Sequence, residues 1–291
     1  MRIAFDSSGA VIYGKNGIGK STIIAALTLI VSRVLDRALN GKIVTQVTFK
    51  EDDVRFGSSM TTIEACFELE DNEYIISRTY NKTRRVQLIS QTSQKQLNEL
   101  SMQLRQIIED DTNTSSLPIF VMYGVNRSVI DIPLRIRSKH SFERKYAYEK
   151  SSIGTDFRTF FEWYRNQEDY ENQVRANGDP SFRDSQLVSV RGAINELLPG
   201  FNGLMVDRKP RLKMVVYKEK QKLSINQLSD GEKCYIAMIG DLARRMAIAN
   251  PNNTNPLQSR GIVLIDEIEL HLHPEWQRDI IPSLRRVFPN V

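Results

Sequence analysis

The order of hydrophobic and polar residues changes period several times along the chain, and each change marks a predicted element. From Ser21 onward, apolar residues recur at the 3.6-residue spacing of an amphipathic helix, which Gly41 is expected to end. Residues 43–49 and 61–80 alternate polar and apolar positions, as antiparallel strands do. The first fourteen residues contain two short apolar runs separated by a turn. The N-terminal part therefore predicts strands on both sides of one long helix.

The rest of the chain predicts further helices and strands. Helical patterns are found at residues 94–109, 186–198 and 232–249 and after Pro274. Short apolar or alternating runs predict strands at residues 117–123, 211–217, 222–225 and 261–265. Helices and strands mixed in this way are typical of an α/β fold.

An aromatic-rich segment lies between Phe142 and Tyr170, and several of its rings recur at helical spacing. Aromatic residues interleaved with basic ones would favour single-stranded nucleic acid. However, residues 141–175 carry six Lys and Arg against seven Asp and Glu, a net charge of −1 (6 − 7). A packed helical subdomain is the better interpretation. We therefore expect three segments, an N-terminal lobe, a helical insert and a C-terminal lobe, at residues 1–125, 126–185 and 186–291.

The composition excludes several classes of protein. The chain has 291 residues, 41% of them hydrophobic, and 40 Lys and Arg against 35 Asp and Glu. A charge of +5 is mild and does not by itself indicate a nucleic-acid-binding protein. The longest apolar stretch, residues 23–31, is far shorter than the roughly 20 residues of a membrane span. Only two cysteines occur, Cys66 and Cys234, so a disulfide scaffold is not expected. We expect a cytoplasmic protein without membrane association.

A phosphate loop is predicted at residues 14–22, which match the pattern G-x-x-x-x-G-K-[ST] in full. An apolar run at residues 10–13 precedes the loop and an amphipathic helix follows it, as this motif requires. Glycines let backbone N–H groups surround phosphate oxygens, and the helix N-terminus attracts the anion. Lys20 is expected to reach the terminal phosphates and Ser21 to bind Mg²⁺. The predicted ATP-binding residues of the loop are Gly14, Asn16, Gly17, Gly19, Lys20, Ser21 and Thr22.

A second motif is the apolar run at residues 262–265, followed by Asp266 and Glu267. A buried strand that ends in two carboxylates is typical of a Walker B element. Asp266 is expected to hold Mg²⁺, directly or through water, and Glu267 to activate the attacking water as general base. Alone, such a match often marks only the end of a strand. Together with the phosphate loop it predicts an ATPase.

A third motif, Leu-Ser-Asp-Gly-Glu-Lys at residues 228–233, precedes the Walker B strand by one helix and a loop. At a helix start, Ser229 and Gly231 would offer a hydroxyl and N–H donors to an anion. The plain alternative is that Ser229 and Glu232 form a capping box. Both can hold, because each uses the helix terminus. We predict nucleotide contacts at Ser229, Gly231 and Glu232.

The phosphate loop, the LSDGEK motif and residues 265–277 (IDEIELHLHPEWQ) resemble the SMC- and RecF-like branch of ABC-type ATPases. The transporter branch typically shows LSGGQ and a proline after the Walker B glutamate, where this chain has Ile268. More narrowly, residues 123–127, 160–163 and 241–245 (YGVNR, FFEW and DLARR) are similar to PtuA-type ATPases of Septu antiphage systems and to ATPases that accompany some retrons. The resemblance implies a P-loop NTPase head of the ABC type, with two lobes and a helical insert.

The resemblance also implies a mechanism and partners. Two heads would sandwich two ATP molecules, each site combining Lys20 and Asp266 of one chain with Ser229 and Gly231 of the other. A homodimer or higher homo-oligomer is therefore expected, with ATP and Mg²⁺ as cofactors. ATP would control a partner HNH nuclease in antiphage defence, and nucleic acid would be met through that complex. The alternatives are a RecF-like DNA-repair ATPase that binds DNA directly and a transporter motor subunit.

Two further features have open interpretations. Asn126 falls where the family's Q-loop would meet Mg²⁺ and water, although a simple turn residue fits as well. His271 and His273 form a His-x-His pair, which can bind a metal ion. No cysteine or third histidine is near them in sequence to complete a metal site. The resemblance places both histidines in the loop after Walker B that crosses the dimer interface. It also places a switch histidine beyond Val291.

A basic segment lies at residues 205–222, where seven basic and two acidic residues give a net charge of +5 (7 − 2). The basic residues are Arg208, Lys209, Arg211, Lys213, Lys218, Lys220 and Lys222. Lysines that protect the edge of a solvated hairpin are one interpretation. A surface that contacts phosphates or an acidic partner is the other.

Overall fold

The structure, a computed structural model, describes residues 2–5, 9–15, 17–44, 47–110, 112, 115–125, 143–152, 157–270 and 272–291. The chain divides into two compact units, each described by itself. The small unit is Val11–Ser115, and the large unit combines Met1–Ala10 with Ser116–Val291. Among the described helices, none has the length and apolar character that crossing a bilayer requires.

The described part of the small unit contains two α-helices and a three-stranded antiparallel sheet in the order β1-β2-β3. Its elements are α1 (Lys20–Asn40), β1 (Met60–Leu69), β2 (Asn72–Asn81), β3 (Val86–Ile89) and α2 (Gln91–Ile108). A buried cluster of Leu29, Phe49, Val54 and Tyr80 joins α1 to the sheet. As predicted, α1 ends at Gly41, whose φ of 70° is the left-handed conformation that glycine adopts readily.

The large unit surrounds one central helix. Its helices are α3 (Phe157–Ala176), α4 (Ser185–Leu197), α5 (Asp230–Ala249) and α6 (Pro274–Val287). Its strands are β4 (Ile119–Tyr123), β5 (Phe201–Asp207), β6 (Lys213–Lys218), β7 (Gln221–Ser224) and β8 (Gly261–Ile265). Strands β4 and β8 form a parallel pair, and β5-β6-β7 form an antiparallel sheet. Every residue of α5 from Tyr235 to Ala249 is buried, as expected for a helix enclosed on all sides.

Helix α3 packs closely on α5 because Gly240 leaves room for it. A Cβ atom built on Gly240 would lie 2.5 Å from the ring of Phe160, closer than any real contact. The hydroxyl of Tyr164 donates to the carbonyl oxygen of Leu204 in β5. The aromatic residues of α3 therefore belong to the core of the large unit. Whether residues 126–185 form a separate insert stays a prediction, since 126–142 and 153–156 lie outside the described residues.

The mixed helix and strand character is confirmed, but three predicted strands are wrong. Residues 2–5, residues 10–13 and the described part of 43–49 form no strand. Tyr13 is 90% exposed, so the apolar run before the phosphate loop is not packed inside a sheet. A strand needs a hydrogen-bonded neighbour, and no described strand pairs with residues 10–13.

Two strands were missed from the sequence, β3 and β5. Strand β3 has only four residues, too few for a clear alternation. In β5 the alternation is interrupted at Gly203, which has φ 62° and sits where the register of the β5–β6 pair shifts. A Cβ atom there would lie 2.9 Å from the ring of Tyr217. This close approach explains the glycine and why the pattern failed.

Candidate nucleotide-binding site

The phosphate loop leads into the N-terminus of α1, whose backbone has no side-chain cap. Gly19 is the N-cap residue, with φ 102° and ψ 17°. Gly17 also has a positive φ, 81°. This left-handed backbone is open to glycine and strained for other residues. Because glycine offers no side-chain oxygen, the first N–H groups of α1 lack the usual cap, as an anion-binding helix terminus requires.

The side chain of Lys20 is turned back onto the loop. Its Nζ atom donates to the carbonyl oxygen of Gly14 at 2.8 Å and to that of Lys15 at 3.1 Å. Ser21 and Thr22 follow in the exposed first turn of α1. Asn16 lies outside the described residues. The ammonium group of Lys20 and the uncapped N–H groups of the helix terminus belong to the same loop. Both can donate hydrogen bonds to the oxygens of a chain of phosphates.

The Walker B carboxylates follow β8, whose end is fixed to β4. Tyr123 is the register partner of Ile265, and its carbonyl oxygen accepts the N–H of Asp266 at 2.9 Å. Strand β8 is less buried than the sequence predicts, since Ile262 is 42% exposed. The reason is that β4 is the only described strand that pairs with β8. Gly261 allows this pairing, because a Cβ atom there would lie 2.7 Å from the carbonyl oxygen of Ile119.

The backbone of Glu267 is strained. Its φ of 49° is in the left-handed region, which a non-glycine residue enters only when its surroundings hold it there. The carbonyl oxygen of Glu267 accepts the N–H of Leu270 at 3.0 Å, which closes a turn directly after the strand. Glu267 is exposed, whereas Asp266 is half-buried. The chain therefore leaves the direction of β8 at Glu267, the residue predicted to be the general base.

Tyr123 connects this strand end to α5. Its buried hydroxyl donates to Asp241 Oδ2 at 3.1 Å, while its carbonyl oxygen holds Asp266. Burial, together with the carboxylate of Asp241, raises the pKa of Tyr123 well above its usual value. The phenol thus remains a hydrogen-bond donor. Tyr123 therefore bonds to α5 through its side chain and to the backbone of Asp266 through its carbonyl oxygen.

Asp241 is the centre of a buried charged cluster. It accepts Arg244 Nη2 at 2.8 Å and Arg245 Nε at 2.7 Å, and Arg245 Nη1 also donates to the carbonyl oxygen of Ala147 at 2.6 Å. Burial alone would raise the pKa of Asp241, but the two guanidinium groups lower it. Residues 123, 160 and 241–245, quoted above for the subfamily resemblance, thus all contact α5 or belong to it.

The predicted signature forms the start of α5, and its capping box is confirmed. Ser229 is the N-cap residue, and its Oγ atom accepts the N–H of Glu232 at 3.3 Å. In return, Glu232 Oε2 accepts both the N–H and the hydroxyl of Ser229 at 2.9 Å. Gly231 is buried in the first turn. The plain interpretation of this motif is correct, and a role in binding nucleotide stays a prediction.

The remaining predicted residues are placed as follows. Asn126 and His271 lie outside the described residues. His273 is the N-cap residue of α6, where its Nδ1 atom accepts the N–H of Glu275 at 3.5 Å. Within the described ranges, no group of three or more His, Cys, Asp or Glu side chains is arranged to hold a metal ion.

The basic segment is partly neutralised. Arg208 pairs with Glu168 and Asp169, Lys222 with Asp207, and Lys218 with Glu232. Lys209 and Arg211 are exposed in the β5–β6 connection, and no carboxylate of the described residues bonds to either. Only part of the sequence charge is therefore available to a phosphate or an acidic partner.

Comparison with known sequences decides the family. Residues 10–288 match the family described as "AAA domain, putative AbiEii toxin, Type IV TA system". The chain belongs to this family. It is therefore an AAA-type ATPase domain, in agreement with the phosphate loop and with the mixed α/β structure.

Named relatives agree with the expected resemblance. The chain is 31% identical to "Retron Vc95 probable ATPase" of Vibrio cholerae serotype O1 biovar El Tor, over 98% of this chain and 65% of that protein. It is 29% identical to "Retron Ec83 probable ATPase" of Escherichia coli, over 100% of this chain and 64% of that protein. "Septu protein PtuA" of Bacillus mycoides (strain KBAB4) is 31% identical over 38% of this chain and 15% of that protein. The similarity to retron and Septu ATPases is confirmed, and the chain spans only about 65% of the length of its retron relatives.

Several contacts within this AAA-type domain were not predicted from the sequence. The i,i+3 and i,i+4 spacing of Asp241, Arg244 and Arg245 does signal ion pairs on one helix. The hydrogen bonds of Tyr123 gave no such signal. One partner, Asp241, lies 118 residues away along the chain, and the other, Asp266, follows the neighbouring strand β8. The pairing of Lys218 with Glu232 likewise joins a hairpin to a helix. Only the folded chain reveals these contacts.

Proposed function

We propose that this chain is the ATPase of a retron- or Septu-like defence system, which hydrolyses ATP in a homodimer and thereby controls a partner HNH nuclease in the cytoplasm. The observation that carries the proposal is the N-terminus of α1. There, an uncapped helix end, left-handed Gly17 and Gly19, and the ammonium group of Lys20 belong to one loop. The names of the relatives support the setting.

The loop is suited to the phosphates of ATP by charge and by donors. Lys20 would exchange the carbonyl oxygens of Gly14 and Lys15 for phosphate oxygens, and the N–H groups at the start of α1 would bind the same anion. The hydroxyl of Ser21 and the carboxylate of Asp266 are the hard oxygen ligands that Mg²⁺ prefers. When bound, Mg²⁺ would supply neutralisation of the phosphate charge.

Glu267 would act as the general base. It accepts a proton from the attacking water and orients that water by the same hydrogen bond. Its left-handed backbone supports this role, because strain at a single residue is commonly retained where a side chain must be aimed. The hydrogen bond from Asp266 N–H to the Tyr123 carbonyl would fix the preceding carboxylate.

The signature of a second chain would complete the set of groups that surround the terminal phosphate of ATP. Ser229 and Gly231 stand at a helix N-terminus, whose dipole and donors favour the terminal phosphate. In this proposal each chain gives its phosphate loop to one nucleotide and its signature to the other. Hydrolysis would then depend on dimer formation, and the state of the dimer would be passed to the nuclease.

Two variants test the proposal at the nucleotide. Lys20→Ala should abolish ATP binding, measured by titration with a fluorescent ATP analogue, because it removes the cation that faces the phosphates. Lys15→Ala is the matched control, since it removes a neighbouring loop cation at a variable position of the motif. Glu267→Gln should bind ATP but hydrolyse it at least about a hundredfold more slowly, as expected for loss of a general base. Equal turnover by Glu267→Gln and the parent protein would contradict the assignment.

Direct DNA binding is the alternative function, and it rests on exposed Lys209 and Arg211. Reversing both charges should then lower DNA affinity and flatten its salt dependence. Arg208 is a poor probe because it already pairs with Glu168 and Asp169. If the salt slope is unchanged in the double variant, protection of the hairpin remains the role of these residues.

A further inference from the structure

The start of α5 carries two carboxylates where the proposed function places a phosphate. Asp230 and Glu232 both lie in the first turn. Carboxylates at this position stabilise a helix through its dipole. They would, however, repel the terminal phosphate of ATP, because like charges at short range oppose each other. The signature therefore needs a means of cancelling its own negative charge before it can accept an anion.

The two carboxylates differ in how far water screens them. The side chain of Asp230 is 85% exposed and pairs with Lys233 at 3.1 Å. The side chain of Glu232 is only 13% exposed, and Lys218 Nζ lies 2.7 Å from its Oε1 atom. A charge on the exposed aspartate is weakened by solvent and salt. Water and salt screen the charge on Glu232 much less, so its neutralisation depends on Lys218.

Lys218 is held in place from a different element. It is the last residue of β6, and its Nζ atom lies 5.6 Å from the centroid of the Phe201 ring. That ring contacts Trp276 at a centroid distance of 6.1 Å. Burial alone would raise the pKa of Glu232, but hydrogen bonds from Lys218 and Ser229 outweigh it and lower the pKa. Glu232 therefore stays ionised, and a cation must balance it.

We propose that Lys218 is a positioning residue of the signature. By pairing with Glu232 Oε1, it cancels the carboxylate charge and leaves Oε2 to hold Ser229, so that the terminal phosphate bound by a second copy of this chain can approach Ser229 and Gly231. The inference rests on the proposed function, because it assumes that the signature meets nucleotide bound by another chain.

The test uses two variants that break the same ion pair with opposite effects on charge. Lys218→Met leaves Glu232 charged and unpaired, whereas Glu232→Gln removes the charge and keeps a side chain that can complete the capping box. In the Glu267→Gln background, we measure by analytical ultracentrifugation the ATP concentration that gives half-maximal dimer. Lys218→Met should raise it about tenfold or more. Adding Glu232→Gln to Lys218→Met should recover most of that loss.

A purely structural ion pair predicts a different pattern. Both single variants would then weaken dimer formation equally, and the double variant would be no better than Lys218→Met. That outcome overturns the inference. The matched control is Lys222→Met, which breaks the pairing of Lys222 with Asp207 at 2.7 Å on the same hairpin. Lys222→Met should leave the ATP requirement for dimer formation unchanged. ATP binding by the single chain should be unchanged in all of these variants.

One further variant separates this inference from the proposed function. Ser229→Arg should abolish ATP-dependent dimer formation if the signature meets nucleotide at all. If Ser229→Arg dimerises like the parent, the proposed function fails and the role of Lys218 fails with it. If Ser229→Arg is defective while Lys218→Met is not, only the role of Lys218 is wrong.

Discussion

The N-termini of α1 and α5 use the same helix dipole in opposite ways. At α1 the N-cap is a left-handed glycine, no acidic residue occupies the first turn, and Lys20 is bonded to loop carbonyls. At α5 the N-cap is Ser229, which is satisfied by Glu232, and the first turn is acidic. The first terminus is preorganised for an anion, whereas the second is closed by its own side chains. A phosphate should therefore bind α1 in a single chain and reach α5 only when assembly favours it.

The largest expected effect is the loss of stability when the buried ion pairs of Asp241 in α5 are broken. Asp241→Ala leaves Arg244 and Arg245 buried without their carboxylate, and removing one partner of a buried pair costs about 3–5 kcal/mol. Urea unfolding of the variant should show this loss. Asp230→Ala is the matched control on the same helix, and its loss should stay below about 0.5 kcal/mol because the pair is exposed. Equal losses would contradict the view that α5 is anchored at the Asp241 cluster.

The two termini should also respond differently to alanine. Gly19→Ala should destabilise the protein by about 1–2 kcal/mol, because φ 102° is strained for any side chain, and should weaken ATP binding by the single chain. Ser229→Ala should cost about 1 kcal/mol through the lost cap but leave that binding intact. Thermal unfolding and ATP titration measure both effects. Loss of single-chain ATP binding in Ser229→Ala would break the distinction between the termini.

The smallest expected effect is a pH dependence at α5. The pKa of Glu232 is lowered in the folded protein, so its contribution is present above its unfolded pKa and lost as the pH falls through the folded pKa. Glu232→Gln should therefore be less stable than the parent at pH 7, by under about 1 kcal/mol. The difference should shrink below about pH 4.5. A constant difference between pH 7 and pH 3 would show that the charge of Glu232 is not involved. The first turn of α1 has no acidic residue, so its N-terminus should show no matching effect.

Long periodic segments were predictable, and isolated short ones were not. Helices α1 and α5 follow from spacing over 21 and 20 residues, and Gly41 marks a helix end by its chemistry. The run at residues 10–13 carries an apolar pattern but no information about a pairing partner, and it is not a strand. Strand β5 was missed because Gly203 interrupts the alternation. Local patterns predict an element only where they are long enough to exclude the alternatives.

The same division holds for the candidate site. The capping box of Ser229 and Glu232 follows from a spacing of three residues, so the sequence predicts it fully. The bonds of Tyr123 to Asp241 and Asp266 and the pairing of Lys218 with Glu232 join separate elements. Those contacts depend on packing, which a single sequence does not display. The sequence motifs identify the candidate site residues, and the folded structure identifies the residues that hold them in place.

The central claim is that hydrolysis needs the phosphate loop of one chain and the signature of another. Lys20→Ala chains and Ser229→Arg chains, each inactive alone, should regain ATPase activity when mixed. Each mixed dimer then contains one site with an intact Lys20 and an intact Ser229 from different chains, so activity should approach about one quarter of wild type when half of the dimers are mixed and one site in each works. If mixed dimers form and remain inactive, or if a proven monomer hydrolyses ATP at the full rate, the shared-site mechanism is wrong.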